Sequence, residues 1–217
     1  MMTSLFSSFD PSSKMMQMNW MIMLLSTMLI PMTYWANPSR TNKLKKIMEK
    51  KMSMEMWNNT KHKEMLMMTA SLFIMILTNN MMGLFPYTFT PTSHPSVTLA
   101  LALPTWTMMM IYGWSNHTKK MFIHLLPSGT PSPIMPMMIL IETVGNLIRP
   151  MSLSIRLTAN MIAGHLLMTL LGNMNESKTL MMILPMKMML MSFETAISMI
   201  QAYVFATLVS LYSSELP

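Results

Sequence analysis

Residues 65–118 read MLMMTASLFIMILTNNMMGLFPYTFTPTSHPSVTLALALPTWTMMMIYGWSNHT, and this run holds no Lys, Arg, Asp or Glu. A helix needs about 20 mostly apolar residues to cross a bilayer. The run therefore has room for two crossings, Met65 to Phe85 and Ser96 to Trp114. The punctuation Gly83-Leu84-Phe85-Pro86 and a loop from Pro86 to Pro95 part them. Outward from this run the pattern repeats. Charge is also missing from residues 15–39, 121–141, 157–175 and 195–214. A soluble chain of 217 residues can bury one such segment in a core, but not five.

Composition agrees and excludes several functions. The chain is 52% apolar and 11% charged, against roughly 25% charged in an average soluble domain. With no Cys, disulfides and thiolate metal sites are ruled out, and no metal site or cofactor is expected. The six glycines form no phosphate-cradling loop, so the chain is not expected to bind nucleotide in that way. The 37 methionines stand where Leu or Ile would serve in lipid. Met as a flexible apolar filler explains each one singly. A genome in which an Ile codon is read as Met, as in many mitochondria, explains the excess as a whole.

The expected fold is all-α: one polytopic membrane domain over residues 1–217, with about five membrane helices and a surface amphipathic helix. The first crossing is Met15 to Trp35, with Trp20, Tyr34 and Trp35 as interfacial anchors and Pro31 kinking its end. Residues 40–64 carry eight Lys or Arg and three Glu. Leu44, Ile47, Met48, Met52 and Met56 fall on one broad helical face there, which suggests a basic segment lying on the membrane. Residues 65–114 hold the two crossings already described. Residues 36–64 and 115–120 together hold ten Lys or Arg, so the positive-inside rule puts both loops inside and the N-terminus outside. The net charge of +7 is therefore read as topology, not as nucleic-acid binding.

The remaining apolar segments are too long for upright crossings. Met137 to Leu171 would extend about 52 Å at 1.5 Å per residue, against a hydrocarbon core of ~30 Å. Leu180 to Ser213 is equally long. Either both helices lie tilted, as a hairpin over residues 137–213, or Pro150 and Pro185 break them; the tilted hairpin is the expectation carried forward.

Ionisable groups at bilayer depth are costly and usually mark an ion path or a buried pair. Glu142, Arg149 and Arg156 recur every seven residues, drifting only about 20° per step on a helix. Asn146 and Asn160 extend that stripe. His165, nine residues beyond Arg156, points about 180° away. On the last helix Glu194, Ser198 and Gln201 share a face. Glu142 with Arg149 could serve only as glue. Arg156 is flanked by Ser152, Ala159, Ala163 and Gly164, small residues that leave room for a close partner.

The run Ile141-Glu142-Thr143, Arg149-Pro150 and Arg156-Leu157-Thr158-Ala159-Asn160-Met161-Ile162-Ala163-Gly164-His165 resembles the signature of the subunit a family of F-type ATP synthases, in its mitochondrial form. Asn79 to Pro86 with Tyr87 to Thr92, and Glu194 with Gln201 to Phe205, are similar as well. The resemblance covers most of the chain beyond residue 65. In bacterial members an acid commonly stands at the His165 position and a His at the Glu194 position.

The resemblance implies a proton-translocating stator subunit of the mitochondrial inner membrane. It would supply two offset half-channels to a rotating ring of small subunits (the c-ring), each with a mid-membrane carboxylate. Peripheral stalk, other membrane-sector subunits and lipid complete the implied partners. Arg156 matches the essential arginine, a fixed charge because guanidinium does not deprotonate in proteins. His165 and Glu194 are assigned to the proton inlet, Glu142 to the outlet, and Asn160 and Gln201 to the neighbourhood of Arg156. Glu142 lies about 21 Å before Arg156 along the helix and His165 about 13 Å after it. The alternative is a subunit of another proton-pumping or antiporter-like complex, but the second and third crossings lack the charges such a path would use.

Overall fold

The computed structural model describes residues 6, 9–12, 18–28, 39–60, 63–85, 88–126, 131–173 and 180–215. Seven α-helices occur among them: α1 Met21–Met28, α2 Arg40–Thr60, α3 Lys63–Gly83, α4 Pro95–Asn116, α5 Thr118–His124, α6 Met135–Asn173 and α7 Leu180–Glu215. No strand occurs among the described residues. Four of the helices, α3, α4, α6 and α7, are long and apolar enough to cross a membrane. The chain is thus an all-α polytopic membrane protein. Of the first expected crossing, a 3-10 turn at Met18–Trp20 and α1 are described. Tyr34, Trp35 and the kink at Pro31 lie outside the described residues.

The interior joins α3, α4, α6 and α7 through Ile76, Ala102, Met109, Leu153, Leu157, Ala202, Phe205 and Val209. Side chains such as Thr69, Asn80, Thr98, Ser154, Ser198 and Ser210 are equally buried, while Met67, Ile111, Ile155 and Met189 face outward. That distribution suits lipid as the solvent. With no hydrophobic gain between helices in a bilayer, small and hydroxylated residues let backbones approach. Most of the hydroxyls bond to a carbonyl one turn back, as Thr69 does to Leu66 at 3.0 Å and Thr105 to Ala102 at 2.9 Å.

Both prolines sit inside continuous helices. Helix α6 runs 39 residues through Pro150 and α7 runs 36 through Pro185. At 1.5 Å rise, α6 alone is about 58 Å long. The two run antiparallel. Asn160 meets Gln201, while the earlier Arg149 meets the later Tyr212.

Two loops differ from their expected character. Residues 115–120 are not a plain loop: α5 begins at Thr118, and the Trp114 and Phe122 rings lock it to α4 edge-on at 4.9 Å. In the stretch 86–95, Phe89 to Ser93 turn inward and are buried. A 3-10 turn at Pro91–Ser93 lets this backbone sit inside, because it satisfies itself. Ser93 Oγ donates to Thr90 O at 2.7 Å, and Ser93 N to the same carbonyl at 3.2 Å.

Helix α2 packs back along α3 and α7. Thr69 Oγ1 donates to Met56 Sδ at 3.5 Å, and Asn59 Nδ2 to Ser210 Oγ at 3.3 Å. Its apolar residues do not act as one face. Met56 is buried, Met48 and Met52 line a cavity against α3, and Leu44 and Ile47 remain exposed. Lys51 and Glu55, both exposed, interrupt the face.

Candidate functional site

The α6–α7 hairpin gathers all six residues that the sequence singled out. Its middle is built around Arg156. Leu153 and Leu157 turn inward on α6, which leaves Ser152, Arg156, Ala159, Asn160 and Ala163 on an exposed face. No carboxylate pairs with Arg156 among the described residues. One turn on, Asn160 Nδ2 donates to Gln201 Oε1 at 2.9 Å, tying the exposed face of α6 to the buried face of α7.

On the α6 N-terminal side, Glu142 and Arg149 form a long ion pair, 3.8 Å between Oε1 and the guanidinium, with side chains 43% and 32% exposed. The Arg149 guanidinium also lies 5.0 Å from the centre of the Tyr212 ring. Two turns of α6 place the acid and the base on one side, and the antiparallel register of α7 supplies the aromatic floor. Spacing alone reached the pair but not Tyr212, which is 63 positions away in the chain.

Toward the α6 C-terminus stands the opposite arrangement. Glu194 is 8% exposed and packs on Gly164. A Cβ at position 164 would lie 2.8 Å from Glu194 Oε1 and 3.0 Å from its Cδ, so only glycine admits the acid in this pose. His165 and Glu194 line one cavity of about 240 Å³ together with Asn160, Phe193 and Ile197. His165 Nε2 and Glu194 Oε1 are both buried without a hydrogen-bond partner. Such groups are rare in folded proteins and call for an explanation. A cavity of this volume has room for several waters, each of which needs about 10–15 Å³ of free volume. Ser198, on the same face of α7, is buried and donates to Thr195 O at 2.8 Å.

The small residues around Arg156 therefore divide. Ser152, Ala159 and Ala163 share its exposed face, while Gly164 opens toward Glu194. The expectation that Gly164 makes space beside Arg156 is corrected by this contact. Sequence reasoning also missed Asn80 and Thr92, which are buried near the inturned loop with unpartnered side-chain atoms. A polar pair in an otherwise apolar crossing (Asn79-Asn80) was the available signal. Asn79 is accounted for: its Oδ1 accepts from Ser26 Oγ at 2.6 Å and its Nδ2 donates to Met75 O at 3.0 Å. No cluster of three potential metal ligands occurs among the described residues.

Known proteins resemble the chain along nearly its whole length. The family described as ATP synthase A chain matches residues 15–214. The chain is 49% identical over 234 residues to ATP synthase subunit a of Drosophila melanogaster, covering 99% of each. It is 48% identical over 227 residues to that of Locusta migratoria and 48% over 236 residues to that of Anopheles gambiae, again covering 99% of each protein. A match of this extent, on a helical fold with four membrane-length helices among its described residues, places the chain in the ATP synthase subunit a family, as a multi-pass subunit of the membrane sector and not a catalytic subunit of the complex.

Proposed function

We propose that this chain is the proton-translocating stator of its ATP synthase, in the mitochondrial inner membrane, with Arg156 facing the carboxylates of a rotating c-ring. The observation that carries the proposal is Arg156 itself: an exposed guanidinium on a spanning helix, unpaired among the described residues and flanked by Ser152, Ala159 and Ala163. A charge in that setting is costly unless a partner outside the chain neutralises it. Small flanking residues let a partner helix approach closely. A ring carboxylate passing Arg156 is held ionised by Coulomb attraction. Protonated carboxylates pass on either side, where the half-channels load and unload them.

The inlet runs through the cavity of His165 and Glu194. An imidazole exchanges protons near neutral pH, and water between it and the carboxylate completes the relay. The outlet uses Glu142, nearly half exposed and 14 residues of α6 before Arg156. Asn160 and Gln201 hold the two helices in register beside the arginine. Peripheral stalk and further membrane-sector subunits anchor the chain against the torque of the ring.

Replacing Arg156 tests the proposal. Arg156→Ala should abolish ATP-driven proton pumping in assembled complexes. Arg156→Lys should fail too, because an ammonium lacks the planar fork and loses its proton readily when desolvated. Coupled pumping at the normal rate by either variant, measured in proteoliposomes, would remove Arg156 from the mechanism.

A further inference from the structure

One histidine has no part in the mechanism above. His94 ends the inturned loop and caps α4, and its backbone is held on both sides: its N–H donates to Pro91 O at 3.2 Å, and its carbonyl accepts from Val97 N at 3.1 Å. Its ring packs against both Trp20, 5.3 Å away, and Phe89, 5.4 Å away. Trp20 and Phe89 in turn meet edge-on at 5.3 Å. This aromatic box aims His94 Nε2 at the carbonyl of Phe9, at 3.0 Å. A carbonyl only accepts, so Nε2 carries the proton in this contact. Phe9 then presents its ring edge-on to His165, with centroids 6.2 Å apart and planes at 88°. Three distant parts of the chain are thereby joined: the N-terminal segment, the loop before α4, and the proposed inlet on α6.

We propose that Phe9, held by the His94 hydrogen bond, shields the outer side of the His165 ring and keeps it turned toward the Glu194 cavity. His94 is then a positioning residue for the inlet, and Phe9 is part of the inlet wall. The inference rests on reading His165 as an inlet group. The contact orients as well as covers, because an edge-on aromatic pair has a preferred geometry. Loss of either Phe9 or its latch frees the His165 ring to take up other rotamers and lets aqueous solutes reach it.

The chain contains no cysteine, so His165→Cys creates its only thiol. The test is the rate at which a water-soluble, membrane-impermeant maleimide labels that thiol in fully assembled complexes. Against His165→Cys alone, adding His94→Leu should speed labelling about fivefold, as loss of one latching hydrogen bond of ~1 kcal/mol implies, and Phe9→Leu, which shrinks the cover itself, should speed it at least as much. Adding His94→Gln, which keeps a donor near the Nε2 position, should restore the parent rate. Unchanged labelling in both Leu backgrounds overturns the shield, and His94→Gln behaving like His94→Leu overturns the latch. Labelling requires no conduction, whereas the inlet reading is tested by proton flux in His165→Ala. Either reading can therefore fail while the other stands.

Discussion

The two ends of the α6–α7 hairpin handle their charges in opposite ways. Near the start of α6, Glu142 and Arg149 are partly exposed, pair with each other, and rest on Tyr212. Near its end, His165 and Glu194 are largely enclosed, share a cavity, and each leaves a buried polar atom unpaired. A paired, solvent-reaching acid costs little to keep. An enclosed acid beside an enclosed imidazole costs several kcal/mol unless water or a proton answers it. The difference teaches where a charge is answered within the chain and where it is not: Glu142 and Arg149 satisfy each other, whereas His165 and Glu194 leave polar atoms for water or a proton to meet.

The sharpest way to break that comparison is at Gly164. Gly164→Ala puts a methyl 2.8 Å from where Glu194 Oε1 now sits, so the acid must move. Proton flux should fall by about a hundredfold, the scale on which a ~1 Å misplacement acts at a reacting group. Glu194→Asp added to Gly164→Ala draws the carboxylate back by one methylene and should recover part of the loss. If flux in Gly164→Ala equals the parent at equal complex abundance, the pose of Glu194 does not matter to transport.

A smaller effect should come from coupling across the cavity. His165→Ala and Glu194→Ala should each slow proton flux, and the exchange His165→Glu with Glu194→His should restore some of it. Groups that share a cavity couple by roughly 0.5–3 kcal/mol, whereas separated groups add. Strictly additive losses, with no recovery on exchange, would make these two independent sites.

The smallest structural effect belongs to the paired end. An ion pair of 3.8 Å with both side chains a third or more exposed contributes about 0–1 kcal/mol. Glu142→Gln should thus leave the amount of assembled complex nearly unchanged while slowing flux in both directions, since a relay is lost and size is kept. Loss of assembled complex, read on a native gel, would instead show that the Glu142 end is structural cement.

Much of this fold was legible because lipid imposes a one-dimensional rule. Charge-free lengths located α3 and α4 to within about two residues of their ends, and located the long helices despite Pro150 and Pro185. A proline that ends a helix in water is bridged inside a packed bundle, which the pattern alone left undecided. Periodicity along α6 put Glu142 beside Arg149 and turned His165 away from Arg156. What escaped needed the third dimension. The proximity of Gly164 to Glu194 depends on how far α7 slides along α6, and Tyr212 depends on the same register. The buried turn at Thr90 to Ser93 announced itself as a Thr-Pro-x-Ser start of a helical turn, but composition made it look like an ordinary loop. The Phe9 contacts lie in a Ser-rich stretch with no pattern to read.

The notch at Gly164 also has an evolutionary reading. As long as position 194 carries Glu in this pose, position 164 is closed to every other residue, since even a methyl collides with the acid. The reverse does not hold, because glycine tolerates any neighbour. Substitutions at the two sites are therefore coupled: a lineage with a larger residue at 164 keeps Glu at 194 only by swinging the carboxylate away from its present place. Across related sequences, side chains at position 164 should accompany a change or a displaced acid at position 194.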